Sequence, residues 1–185
     1  MLINGREGVA QDRDRAFALV EEGARLDCHH CQGMMALCYL YGFGCLKDAA
    51  RSLVLARESA VKGSKYGQET LGVLYHKGEG GVAQDYAAAV GQYRLAAAQQ
   101  YDMAQNWLGF MHGVGHGVAK DYAEALRMYK LAAAQGYGWA LYNVGQCYES
   151  GWSVAADRAE AIRWYKRAAA AGWSSAADKL KALGT

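Results

Sequence analysis

Three stretches of this chain can be written above one another with a single one-residue offset. They are LGVLYHKGEGGVAQDYAAAVGQYRLAAAQQY from Leu71, LGFMHGVGHGVAKDYAEALRMYKLAAAQGY from Leu108 and VGQCYESGWSVAADRAEAIRWYKRAAAAGW from Val144. Asp85, Asp121 and Asp157 recur at a spacing of 36 residues, as do Tyr93, Tyr129 and Tyr165 and the alanine triplets that begin at Ala96, Ala132 and Ala168. A weaker copy runs from Met35-Ala36 through Gly42, Gly44 and Asp48 to Ala60 and Gly63. A fragment precedes it, in which Gly8-Val9, Asp12, Ala16 and Ala24 match only the second half of the unit. Ala176 to Leu183 matches only the first half. A period of this length means one supersecondary unit, unable to bury its apolar face alone, stacked on copies of itself.

Each unit reads as two helices. The first, helix A, carries small and apolar residues at helical spacing (Ala104, Leu108, Met111), and Gly109 beside Leu108 lets a neighbouring helix approach closely. Gly109 and its counterpart Gly145 are therefore expected where helices touch. Gly113, Gly115 and Gly117 stop helix A, since glycine enters turn conformations without a Cβ penalty. Helix B is expected to begin near Asp121, which suits an N-cap or first turn, and to bury Ala125, Leu126, Tyr129, Ala132 and Ala133. Gly136 ends it, and strand signals are absent.

Composition narrows the function classes. Twenty Lys and Arg against eighteen Asp and Glu leave a net charge of +2, which gives no bulk electrostatic case for nucleic acid or an anionic membrane. No apolar run approaches the roughly 18 residues of a membrane span, so no membrane insertion is expected. The first seven residues contain no apolar signal core, and an intact secretory precursor is not expected. Five cysteines (Cys28, Cys31, Cys38, Cys45 and Cys147) are an odd and clustered set, more like reduced thiols than a disulfide framework. A cytoplasmic location follows as the expectation, with the periplasm after signal removal as the alternative. Absence of proline, 23 glycines and abundant alanine suit many helices joined by glycine turns.

The pattern Leu-Gly-x-x-Tyr-x-x-Gly, then Gly-Val-x-x-Asp, then Ala-Ala-x-x-Gly resembles the Sel1-like repeat family, relatives of the tetratricopeptide repeats. The departures are Met35-Ala36 for Leu-Gly, His112 for the helix A tyrosine, Gln100 for the closing glycine and Ser153 for a loop glycine. The resemblance implies an all-α, right-handed superhelix of about ten helices. Its expected divisions are a half repeat at 5–30, repeats at 31–66, 67–103, 104–139 and 140–175, and a C-terminal capping helix at 176–185. It also implies an adaptor or scaffold, or an inhibitor of a cognate protein, with a protein or peptide partner, no catalysis and no cofactor.

In related superhelices one stripe of helix A lines the concave groove. Carried over, it begins with His30, Tyr66, Met103 and Trp139, placed just before each helix A starts. One turn on come Gly33, Glu69, Asn106 and Tyr142, then Leu37, Val73, Phe110 and Gln146, and finally Tyr41, Lys77, Val114 and Ser150. Aromatic and Met side chains suit a protein-binding surface, and Glu69, Asn106 and Gln146 could fix a bound backbone. The competing reading is that these side chains pack helix A against helix A.

Three motifs point elsewhere. Cys28-His29-His30-Cys31 contains half a tetrahedral zinc site or a redox pair, but four consecutive side chains do not readily converge on one ion, and the repeat places them in a turn. Cys38 and Cys147 fall at equivalent helix A positions where a small apolar core is expected. Ser59-Ala60-Val61-Lys62 matches the Ser-x-x-Lys nucleophile motif of penicillin-recognising enzymes, and a cysteine-rich branch of the resembled family is linked to penicillin binding. The companion Lys-Thr-Gly and Ser-Asp-Asn elements are missing, and most of that branch's cysteine positions are alanines here, such as Ala133 and Ala140. Gly113-x-Gly115-x-Gly117 lacks the strand and lysine of a phosphate loop. Arg94, Lys130, Arg163, Lys166 and Arg167 on helix B read as a solvated outer face.

At the chain's start, a helix over about Asp12 to Arg25 has no preceding helix A. Phe17, Leu19 and Val20 cannot all face its one neighbour, so an uncapped edge is expected, covered by self-association or a further segment. Asp178, Lys179 and Lys181 alternating with Leu180 and Leu183 suit a finished opposite end.

Overall fold

The computed structural model describes residues 13–184. Ten helices follow one another among them, with no strand: α1 (Arg13–Arg25), α2 (His29–Tyr41), α3 (Ala49–Val61), α4 (Lys65–Lys77), α5 (Tyr86–Ala98), α6 (Asp102–Val114), α7 (Tyr122–Ala134), α8 (Gly138–Ser150), α9 (Arg158–Ala170) and α10 (Ser174–Ala182). None is long and apolar enough to cross a membrane. Asp12, at which the sequence reading began the first helix, lies outside the described residues. The chain forms two compact units, one ending at Gln100 and the other beginning at Tyr101.

Local chemistry explains the boundaries. Asp48, Asp85, Asp121 and Asp157 sit in extended backbone before α3, α5, α7 and α9, and their carboxylates accept hydrogen bonds from amides of the first turn. Asp121 accepts from two, Ala123 at 2.8 Å and Glu124 at 3.0 Å. These amides have no partner within the helix, so each aspartate acts as a cap. The helix A class stops at Gly42, Gly78, Gly115 and Gly151, all in the left-handed region. At Gly115 (φ +80°) the amide donates back to the Met111 carbonyl, closing α6. Where the expected glycine is replaced, the backbone is unchanged: Gln100 (φ +56°) and Ser153 (φ +64°) still adopt the left-handed conformation. The repeat geometry outweighs the side-chain preference there.

Within the first unit α2 packs on α3, α4 on α5, α1 on α2, and α4 against both α2 and α3; within the second, α6 packs on α7, α8 on α7 and α9, and α10 on α9. The recurring tyrosine and glycine meet inside the A–B pairs. A Cβ built on Gly72, Gly109 or Gly145 would stand 2.6–2.8 Å from ring carbons of Tyr93, Tyr129 and Tyr165 respectively. Each glycine thus leaves the space its tyrosine ring fills, and Tyr93 and Tyr165 are fully buried. In the weakest copy both partners change together. Ala36 stands at the glycine position and Ala56 at the tyrosine position, both fully buried. Nearby, the Ser52 hydroxyl donates to the Ala36 carbonyl at 2.7 Å.

Glutamine pairs tie helix B ends to the preceding helix A. Gln99 donates to Gln68 at 2.8 Å in the first unit, and Gln135 donates to Gln105 at 2.9 Å in the second. At the corresponding places of the last copy stand Leu141, which is buried, and Ala171, so an apolar pair replaces the polar one. In the first copy the end of α3 uses a different tie, Lys62 to Asp27 at 2.6 Å.

Candidate functional site

His30, Tyr66, Met103 and Trp139 are each the second residue of α2, α4, α6 and α8. They lie inside the helices, where the sequence had suggested a place just before them, because each cap stands two positions ahead of these residues. Cys28, Ser64, Tyr101 and Tyr137 occupy those caps.

In the first unit, His30 is exposed and meets the half-buried Tyr66 edge-on, with ring centroids 6.0 Å apart. Its Nδ1 is 3.3 Å from the Ser64 hydroxyl. Desolvation of the part of the ring turned against its neighbours, then the charges of His29 and Lys65, holds the His30 imidazolium below its usual range. One and two turns further along α4, Glu69 and Val73 are 1% and 0% exposed. Their side chains are therefore enclosed by the chain itself.

The second unit presents a different surface. Phe110 meets Trp107 edge-on at 5.9 Å, Trp107 meets Trp139 edge-on at 4.9 Å, and Trp139 stacks on Trp173 at 5.9 Å with a 7° interplanar angle. All four rings are half-buried, each fixed by its neighbour and partly open to solvent. Met103, Tyr142 and Gln146 are also half-buried, and Tyr142 lies 5.2 Å from the Tyr165 ring. Asn106 is fully buried, and its side-chain oxygen accepts from Asn143 at 2.9 Å. This asparagine pair joins α6 to α8.

Two members of the row, Trp107 and Trp173, lie outside the stripe deduced from sequence. Trp107 is one residue past Asn106, and a helix rotates about 100° per residue, so a fixed stripe passes it by. Trp173 caps α10 and repeats Tyr101 and Tyr137 at the same spacing, a signal present in the sequence. Conversely, Glu69, Val73 and Asn106 are named by the stripe but covered by neighbouring helices.

The other motifs resolve individually. Ser59 is fully buried, and its hydroxyl donates to the Leu55 carbonyl at 2.6 Å. Lys62 is held by Asp27, so this Ser-x-x-Lys does not present a nucleophile and a base to a common point. Among the described residues no group of three or more His, Cys, Asp and Glu side chains is placed to hold a metal ion. Cys28 caps α2 while His29, His30 and Cys31 form its first turn, so the tetrad opens a helix where a turn was expected. Cys38 and Cys147 are buried, and burial pushes both thiols up to about 11. Arg94, Lys130, Arg163, Lys166 and Arg167 are exposed. At the first helix Val20 is buried, Phe17 packs edge-on against Tyr39 at 5.6 Å, and Leu19 is 53% exposed.

Sequence and structure comparisons agree on the kind of repeat. The Sel1 repeat matches residues 1–28, 29–64, 66–101, 102–137 and 140–173. Among solved structures, a Sel1 repeat protein from Oxalobacter formigenes is 30% identical with a TM-score of 0.77, covering 95% of this chain and 71% of that one. The protein c5321, a protective antigen present in uropathogenic Escherichia coli strains displaying an SLR fold, is 31% identical with a TM-score of 0.72; 95% of this chain and 37% of that chain are covered. Immunity protein Pa5087 from Pseudomonas aeruginosa shares the fold at 21% identity and a TM-score of 0.64, over 94% of this chain and 64% of that chain. No curated protein sequence matches the chain significantly.

Proposed function

The chain belongs to the Sel1 repeat family, and from that premise we propose that it is an interaction module that holds a protein or peptide against its helix A surfaces. Sel1 repeats commonly serve as protein-interaction scaffolds. The observation that carries the reading here is the row Phe110, Trp107, Trp139 and Trp173, whose rings brace one another while staying partly open. Pre-braced aromatics supply a large contact area at small cost in side-chain entropy, which is why interface hot spots are rich in them. Gln146 and Met103 beside the row add a hydrogen-bonding group and an adaptable apolar one. In the first unit the equivalent positions His30 and Tyr66 offer a separate, smaller aromatic contact. An adaptor and an inhibitor that clamps a cognate protein would use the same surface.

Display selection of random peptides on the immobilised chain, followed by fluorescence anisotropy with the enriched peptide, tests this. Phe110→Ala and Trp139→Ala should each weaken binding by about thirtyfold, the size of a hot-spot loss near 2 kcal/mol. Circular dichroism should stay helical in both variants. Undiminished affinity in the two, with helicity retained, would show that the row does not hold the peptide.

A further inference from the structure

The motif that the interaction surface leaves unused is Cys28-His29-His30-Cys31. Cys28 is the N-cap of α2, and its sulfur accepts a hydrogen bond from the Cys31 amide at 3.3 Å. Cap and third helical residue lie on the same side of the first turn, so the two thiol side chains are neighbours there. This is the spacing at which a cap residue and the third helical residue reach each other in ordinary capping boxes. The helix start brings unsatisfied amides and the positive end of the helix dipole to Cys28, and both favour a thiolate.

The two thiols are not equivalent. The hydrogen bonds from the Cys31 thiol and amide hold Cys28 below the usual thiol range, against a smaller opposing effect of burial. Burial and the bond to Cys28 push Cys31 up to about 11. Cys31 sits against α1 at Gly23, where any Cβ would collide with its sulfur. One sulfur is thus activated at a helix start, and the other is a protonated neighbour seated in a notch beside it.

We propose that Cys28 and Cys31 form a reversible redox dithiol, oxidised to an intrachain disulfide by a low-molecular-weight disulfide such as glutathione disulfide. The Cys28 thiolate attacks one sulfur of glutathione disulfide, forming a mixed disulfide and expelling one glutathione thiolate. Cys31 gives its proton to solvent and attacks the Cys28 sulfur, expelling the second glutathione. Two protein thiols are oxidised by two electrons, and one glutathione disulfide is reduced to two glutathiones.

The test equilibrates the reduced chain in glutathione buffers of graded ratio, quenches in acid, alkylates the remaining thiols, and locates modifications by fragment-ion mapping. Wild type should lose two alkylatable thiols together and show a Cys28–Cys31 bond without a retained glutathione. Cys31→Ser should accumulate one glutathione on Cys28, and Cys28→Ser should form neither bond nor adduct at Cys31. In the reduced chain, iodoacetamide should modify Cys28 at least about tenfold faster than Cys38 or Cys147. A persistent glutathione adduct on wild-type Cys28 would overturn the proposal, as would a bond joining Cys38 to Cys45. Cys28 remaining alkylatable at every ratio would overturn it equally.

Discussion

Replacing Gly145 by alanine sets two known effects against each other. Alanine is the better helix former by about 0.8–1.0 kcal/mol, which alone would stabilise α8. The new methyl, however, would stand 2.6 Å from Cε1 and 2.8 Å from Cδ1 of Tyr165. That ring cannot easily retreat, because it is fully buried and its hydroxyl donates to Glu149 at 2.6 Å. Forcing an extra carbon into a packed interior costs about 1–3 kcal/mol, and displacing the ring also strains a charge-assisted hydrogen bond of about 1.5–3 kcal/mol. The packing cost exceeds the propensity gain, so a net loss of about 1–2 kcal/mol is expected. Gly91→Ala in α5 is the matched control, since a Cβ there meets nothing within 4 Å. It should stabilise by about 0.5–1 kcal/mol. Urea unfolding followed by circular dichroism reads both, and the midpoints should move in opposite directions. If Gly145→Ala also raised the midpoint, the glycine–tyrosine contact would not be what sets the helix A to helix B distance.

Asp121→Ala removes the acceptor for two amides of α7 and should cost about 1 kcal/mol in the same urea assay. Ser59→Ala should lower stability by about 0.5–1.5 kcal/mol through loss of the buried hydroxyl's bond to Leu55, while neither it nor wild type turns over nitrocefin. Burial alone would raise the Glu149 carboxyl, yet hydrogen bonds from Tyr165 and Lys179 outweigh it and leave the group below its usual range. A depressed acid stabilises above its unfolded pKa and loses that contribution as pH falls through the folded one. Wild type should therefore exceed Glu149→Gln in stability at neutral pH, with the gap closing in acid below the normal glutamate range; a gap independent of pH would contradict the ionic role.

The repeat made the ten-helix architecture legible, because the aspartate caps, the stopping glycines and the glycine beside the apolar residue of helix A are signals read within one unit, although the tyrosine that each such glycine meets was not read from them. Gly109 and Gly145 were placed correctly at helix contacts on that basis. What the repeat could not supply was depth. Asn106 and Tyr142 occupy equivalent positions, yet the first is fully buried and the second half-open. Equivalent residues share a direction on their helix, but exposure depends on the side chains of the flanking copies, and these vary. The same limit explains Glu69 and Val73, which point along the expected stripe and are covered. Trp107 was missed because its ring reaches the row from a neighbouring helical position, and Trp173 because it belongs to the cap of α10, where the last copy is incomplete. The cysteine pair was visible as a motif, but its hydrogen-bonded, unequal thiols depend on α2 beginning at His29.

Hydrogen–deuterium exchange of the chain with and without the selected peptide, joined to side-chain footprinting of its tryptophans, tests the interaction surface directly. Protection should concentrate on α6 and α8, with Trp107 and Trp139 shielded from oxidation and the exposed helix B residues Arg94, Leu95, Lys130 and Leu131 unaffected. Protection of those helix B residues, with Trp107 and Trp139 left as reactive as in the free chain, would contradict the account.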